Sequence, residues 1–214
     1  MKKVIAVIIL LLFVSCSSQY IVRYEYTLED VSPSDNATFD NTLYGRYKYL
    51  YNDKDMELYF DIAPYEIGLF IKNIDHDTLR IIWDKAYLET EFNGNEKFKL
   101  THTNREQEYI SLKDTTKDNY QKLKVIKRLQ ETDKSYHTKP TIILPGDSFV
   151  DRIHNSEKKD FYPYVISKNE SFESITERLK NKNIILHLPI RVNNNLKNLI
   201  FTIKVEDIYK IQQD

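Results

Sequence analysis

From Met56 onward, apolar side chains return at every second residue. Met56, Leu58, Phe60 and Ile62 alternate with Glu57, Tyr59 and Asp61. Ile67, Leu69 and Ile71 alternate with Gly68, Phe70 and Lys72, and Leu79, Ile81 and Trp83 with Arg80, Ile82 and Asp84. Successive side chains of an extended chain point to opposite faces, so this period describes strands with one face against a core. The polar break from Asn73 to Thr78 makes the last two runs a hairpin or a crossing between sheets. Tyr87, Leu88 and Phe92 lead to Asn93-Gly94, a strong hairpin turn, and Phe98 and Leu100 begin the returning strand.

The rest of the chain is punctuated in the same way. Ile21 to Tyr26 reads as a first strand, Asp30 to Thr42 as a loop, and Tyr44 to Tyr51 as a strand carrying Tyr44, Tyr47, Tyr49 and Tyr51. Asn52-Asp53-Lys54-Asp55 is a turn. Tyr120 to Gln130 fits a helix face or a strand, and periodicity does not choose between them. Thr141 to Leu144 reads as a strand ending at Pro145-Gly146. Ser171 is placed to cap a helix with Phe172, Ile175 and Leu179 on one face. Ile184 to Val192 and Leu199 to Val205 are the last strands, turning at Asn193 to Asn195. With 16 tyrosines and only 4 glycines, the composition favours strands over phosphate-cradling glycine loops.

The amino-terminal stretch constrains location. Lys2 and Lys3 precede an unbroken apolar run from Val4 to Val14, too short to span a bilayer and suited to the core of an export signal. The run closes on Phe13-Val14-Ser15-Cys16, which resembles the lipobox of bacterial lipoproteins, with Phe13 in place of the usual leucine. The resemblance implies that residues 1–15 are a signal peptide and that the thiol of Cys16 takes a diacylglyceryl group. It further implies cleavage before Cys16 and acylation of the new amine, with a fatty acyl chain such as palmitate. Two or three acyl chains hold a protein stably, where one is marginal. Ser17 is not aspartate, and no acidic run follows Cys16. Outer-membrane placement in the periplasmic leaflet is therefore expected, with a short tether over residues 17–20 and one domain over 16–214.

The stretches "IKNIDHDTLRIIWDKAYLE", "FNGNEKF", "TIILPGDSFVDRI" and "IILHLPIRVNNNLKNLIFTIKV" resemble small lipoproteins of gut- and soil-type Gram-negative bacteria. The resemblance implies an all-β fold, an immunoglobulin-like antiparallel β-sandwich with room for one or two short helices. It carries no activity to transfer, because fold alone does not set function.

The chain is nearly neutral, with formal net charge −1. Loss of Lys2 and Lys3 with the leader makes it slightly more acidic, which argues against nucleic acid as a partner. Cys16 is the single cysteine, so no intrachain disulfide forms. Asp75-His76-Asp77 has metal-ligand chemistry but reads as a polar turn, and His102, His137, His154 and His187 lack metal-ligand spacing. No Gly-x-Ser-x-Gly run occurs, and Glu89 and Glu91 read as a solvated strand face. No catalytic residue, metal or cofactor is therefore expected. Trp83 reads as a core anchor. Tyr47 and Tyr49 are the candidate ligand-binding residues, offering a flat apolar face and a hydroxyl to a glycan or partner. Thr78 and Thr115, in Asp77-Thr78-Leu79 and Asp114-Thr115-Thr116, resemble acceptors of periplasmic O-glycosylation. The expected function is a non-enzymatic accessory or structural envelope lipoprotein binding a protein partner. The alternative is carbohydrate binding through exposed tyrosines.

Overall fold

The computed structural model describes residues 19–34, 37–40, 47–92, 94–103, 136–167 and 170–211. The strands in chain order begin with β1 (Gln19–Ser32), β2 (Thr38–Asp40), β3 (Tyr49–Asn52), β4 (Met56–Ile62), β5 (Ile67–Asn73) and β6 (Leu79–Ile81). A 3-10 turn (Trp83–Lys85) separates β6 from β7 (Tyr87–Thr90). Then come β8 (Glu96–Thr103), β9 (Tyr136–His137), β10 (Thr141–Ile143), β11 (Ser148–Asn155) and β12 (Val165–Ser167). The helix α1 (Phe172–Leu179), β13 (Asn183–Val192) and β14 (Asn195–Ile211) complete the described residues. The chain is all-β and antiparallel, as the alternation requires, and its strands make a nearly closed sandwich.

Two sheets form the layers. One is built on β12-β1-β14-β13-β7, extended by β6 and β10; the other on β11-β5-β4-β3-β2. β8 belongs to both. Its first half pairs with β7, Leu88 opposite Phe98, and its second half pairs with β11, His102 opposite Ile153. The inward rows of the two sheets form one hydrophobic cluster that includes Tyr51, Phe60, Leu69, Trp83, Leu186 and Phe201. Each such side chain contributes roughly 1.5–3 kcal/mol by leaving water. β5 and β6 lie in different sheets, so the break from Asn73 to Thr78 is a crossing rather than a hairpin.

Local turn chemistry closes the elements. Asp53 Oδ1 accepts from the amides of Asp55 (2.8 Å) and Met56 (2.9 Å), an Asx turn between β3 and β4. Gly94 and Asn95 take positive φ between β7 and β8, as do Gly146 after β10 and Asn193 after β13. Ser171 Oγ accepts from the Ser174 amide at 3.1 Å and caps α1, whose Ile175 and Leu179 are buried.

Five sequence expectations are corrected. β1 is longer than Ile21–Tyr26, because β12 and β14 supply partners along its whole length. Gln19 and Tyr20, expected in the tether, are already strand. The expected loop from Asp30 to Thr42 contains the end of β1 and all of β2, whose side chains are exposed and so carry no alternation. The described part of the expected Tyr44–Tyr51 strand is strand only from Tyr49, Lys48 lying outside β3; residues 41–46 lie outside the described residues. The alternation through Trp83 stops at Ile81. Opposite, Pro189 has no amide hydrogen to donate, and its carbonyl accepts from Ile82 at 3.0 Å before the chain swings into the 3-10 turn. Asn93 and the ambiguous run from Tyr120 to Gln130 lie outside the described residues.

Candidate functional site

The swing at Pro189 opens a basin on the outer face of the first sheet. Its floor is a pair of facing arginines: Arg80 on β6 stands opposite Arg191 on β13. The same cross-strand row continues to Ile142 on β10 and to Leu196 on β14. Cross-strand partners share a face, so the row presents two cations between two apolar residues, Ile142 and Leu196, that are 43% and 41% exposed. Ile82, Asp84 and Lys85 of the 3-10 turn form one wall and Thr138, Lys139 and Pro140 the other, around a cavity of about 510 Å³.

A buried network fixes both walls. Trp83, fully buried, donates its indole N–H to Thr141 Oγ1 at 2.8 Å, tying the 3-10 turn to β10. The ring of Trp83 stacks on His102 with centroids 5.1 Å apart. His102 Nε2 lies 3.1 Å from the Lys139 carbonyl. A carbonyl only accepts, so Nε2 carries the hydrogen in that contact. On the other ring edge, Nδ1 lies 3.6 Å from Asp151 Oδ2, with both side chains buried. A His–Asp pair invites a catalytic reading, but nucleophilic catalysis also needs an activated hydroxyl or thiol beside the imidazole. Among the described residues, the hydroxyl in this network is that of Thr141, which accepts from the Trp83 indole. The arrangement holds the Lys139 backbone and the 3-10 turn in place.

Electrostatics single out the basin. Arg80, Lys85, Lys139 and Arg191 surround it against one carboxylate, Asp84. Among the described residues, no ion pair joins any of these four cations to a carboxylate. The Nε of Arg191 is enclosed and has no hydrogen-bond partner among the described residues. Like charges directly opposite on adjacent strands are destabilising, so the facing arginines are a local conflict within a nearly neutral chain. A smaller cavity of about 180 Å³ lies beside Tyr65, His154 and Lys158 at the end of β11.

The residues singled out from sequence fall elsewhere. Tyr47 and Tyr49 are 8% and 1% exposed, which overturns the expectation that they offer open aromatic faces. Tyr49 packs on Phe60 with centroids 5.0 Å apart, and Tyr47 on Phe70 at 6.3 Å. Burial pushes the Tyr49 hydroxyl well above its ordinary value. Thr78 is half-buried, its carbonyl accepting from the Asn193 amide. Cys16 and Thr115 lie outside the described residues.

Asp75-His76-Asp77 is a tied turn. Asn73 Nδ2 donates to the Asp77 carbonyl at 2.7 Å, and Asp75 Oδ1 accepts from the His76 amide at 2.7 Å. Among the described residues, no group of three or more His, Cys, Asp or Glu side chains could hold a metal ion. Glu89 pairs with Lys97 at 3.3 Å, and Glu91 accepts from the Asn183 amide at 2.8 Å. Among the described residues, no helix is long and apolar enough to cross a membrane.

Sequence reasoning missed Arg80 and Arg191. A signal was present: each is a lone cation flanked by apolar strand residues, in Leu79-Arg80-Ile81 and Ile190-Arg191-Val192. Their opposition depends on register, which neither segment encodes alone. No protein-family model, curated protein or solved structure matches the chain.

Proposed function

We propose that this protein is a non-enzymatic accessory lipoprotein of the bacterial envelope. It is held by lipid on Cys16 at the periplasmic leaflet of the outer membrane, and it binds an acidic partner through the basin of Arg80 and Arg191. The single observation behind the binding reading is the outward row Ile142–Arg80–Arg191–Leu196, where two cations with no ion pair among the described residues sit between exposed apolar residues. Arginine with apolar neighbours is the composition of interface centres, and unpaired arginines select for acidic groups. The envelope address rests on the leader and its lipobox-like end. Carbohydrate binding by Tyr47 and Tyr49 loses its support, since both rings are packed inside.

The test has two parts. Cys16→Ser should move the protein from the membrane to the soluble fraction; retention in the membrane would reject the anchor. A photo-crosslinker at Leu196 should yield one recurrent envelope partner, lost on Arg191→Ala. Crosslinks indifferent to Arg191 would reject the basin as the binding site.

A further inference from the structure

Among the described residues the facing arginines lack a counter-charge, and the chemistry of the gap says what would supply it. Strand partners stand about 5 Å apart at Cβ, and Arg80 and Arg191 both line the basin, so their two guanidinium forks are within reach of a single small anion. Each fork presents parallel N–H donors that match two oxygens of a phosphate or carboxylate. Arg191 adds an enclosed Nε–H with no acceptor among the described residues, and a buried donor of this kind is unfavourable until an acceptor arrives. Lys85 and Lys139 close in from the two walls, and Asp84 offsets only one of the four cations. That surplus suits a dianion better than a monoanion. Donors that approach from a floor and two walls suit a tetrahedral group better than a planar carboxylate. Ile82 and Pro140 leave apolar surface for a short organic substituent.

We propose that the basin is a binding site for a phosphate monoester, its phosphoryl oxygens held between Arg80 and Arg191 with Lys85 and Lys139 flanking. This rests on the reading of the basin as the binding site and names the acidic group that it takes. A soluble metabolite and a lipid headgroup can each carry this group, and the chemistry held is the same.

The full chain in neutral detergent micelles is titrated with inorganic phosphate and with glycerol 3-phosphate, followed by calorimetry and by melting temperature. Saturable binding is expected, weakened about tenfold or more by Arg191→Gln and by Arg80→Gln. The parent's melting temperature rises with ligand, and that of the variants does not. Without ligand the variants should melt no lower than the parent, because one of two like charges is gone. If either variant folds poorly, Lys85→Gln, at an exposed position, reads the same site with a smaller loss. The source is separated by reconstitution into phosphatidylcholine vesicles with and without phosphatidic acid. Stabilisation by phosphatidic acid alone assigns a headgroup, and stabilisation by the soluble esters assigns a metabolite.

Absence of binding by all these probes, or binding unchanged by the arginine substitutions, overturns the site. If the probes fail while crosslinking from Leu196 still depends on Arg191, the phosphate assignment falls and the acidic-partner reading stands. If the probes bind and the crosslinks do not depend on Arg191, the site stands and the partner reading falls.

Discussion

Lys197 Nζ lies 2.7 Å from Asp53 Oδ2 and also reaches Asp55 Oδ2, so the start of β14 grips the turn between β3 and β4 in the opposite sheet. Tyr51 adds a hydroxyl donor to Asp53 at 2.8 Å. Both carboxylates are buried. Replacing the lysine by methionine keeps the stem and removes the charge, leaving two enclosed anions uncompensated. Lys197→Met should lower stability by about 2–3 kcal/mol, read from a urea midpoint. A loss below about 0.5 kcal/mol would mean that the three groups behave as an ordinary surface ion pair.

The same network predicts a pH response. Burial works to raise the Asp53 carboxyl, but hydrogen bonds from Lys197, from the Asp55 and Met56 amides and from Tyr51 hold it below its ordinary 3.8. Its contribution to stability is present above 3.8 and is lost as pH falls through the depressed folded value. Burial works to lower Lys197, but Asp53 and Asp55 raise it above 10.5. Its contribution is present below 10.5 and is lost as pH rises through the raised value. Melting curves of Asp53→Asn across the acid range should fall less steeply than those of the parent. Parallel curves would remove Asp53 from the account.

His187 stacks on Tyr87 with ring centroids 4.0 Å apart. Burial holds its imidazole below 6.5, with Glu89 pulling the other way and Lys97 reinforcing the shift. A depressed folded value means that stability is present above 6.5 and declines as pH falls toward the folded value. The His187 ring signals should therefore titrate below 6.5 in the folded protein, and His187→Phe should flatten the decline. A midpoint above 6.5 would reverse the assignment.

Gly68 on β5 faces Asp61 on β4, and a Cβ placed on Gly68 would fall on Asp61 Oδ1. Gly68→Ala should destabilise by about 1–3 kcal/mol through overpacking. Asp61→Ala in the same chain should recover much of that loss. An alanine at 68 that melts like the parent would show that the carboxylate swings aside freely.

Thr141→Val keeps the shape of the side chain and removes the acceptor for the Trp83 indole. The buried N–H is then unpaired, at about 1–3 kcal/mol. Because Trp83 is the sole tryptophan, its fluorescence reports the site directly. The variant should melt lower and show altered emission. Unchanged stability would mean that the indole finds another acceptor.

Features set by neighbouring residues were legible before the structure. The Asx turn at Asp53, the Ser171 cap and the β13–β14 turn at Asn193 each depend on a few adjacent atoms, and each stands where the local chemistry puts it. Trp83 shows where legibility ends. Its alternation is as good as that of Ile81, but Pro189, far along the chain, faces the strand there and the ladder breaks. The tyrosines fail for another reason. Tyr47, Tyr49 and Tyr51 share one face, and tyrosine is equally at home buried or exposed, so the pattern gave the period without its direction. The basin was out of reach, because Arg80 and Arg191 meet only through a register that the hydrophobic rows decide together.

β1 pairs with β14 over most of its length, from Ile21 opposite Ile211 to Ser32 opposite Ile200. Ribosomes deliver the amino end first, so Val22, Tyr24, Tyr26 and Leu28 wait for their mates until β2 to β13 and then β14 have been made. An apolar ribbon left open for that long invites pairing with the wrong neighbour. Loops that distant also close slowly. The hazard for this molecule lies in the interval before β14 arrives, and a holdase acting on the nascent β1 segment would shield it during that time.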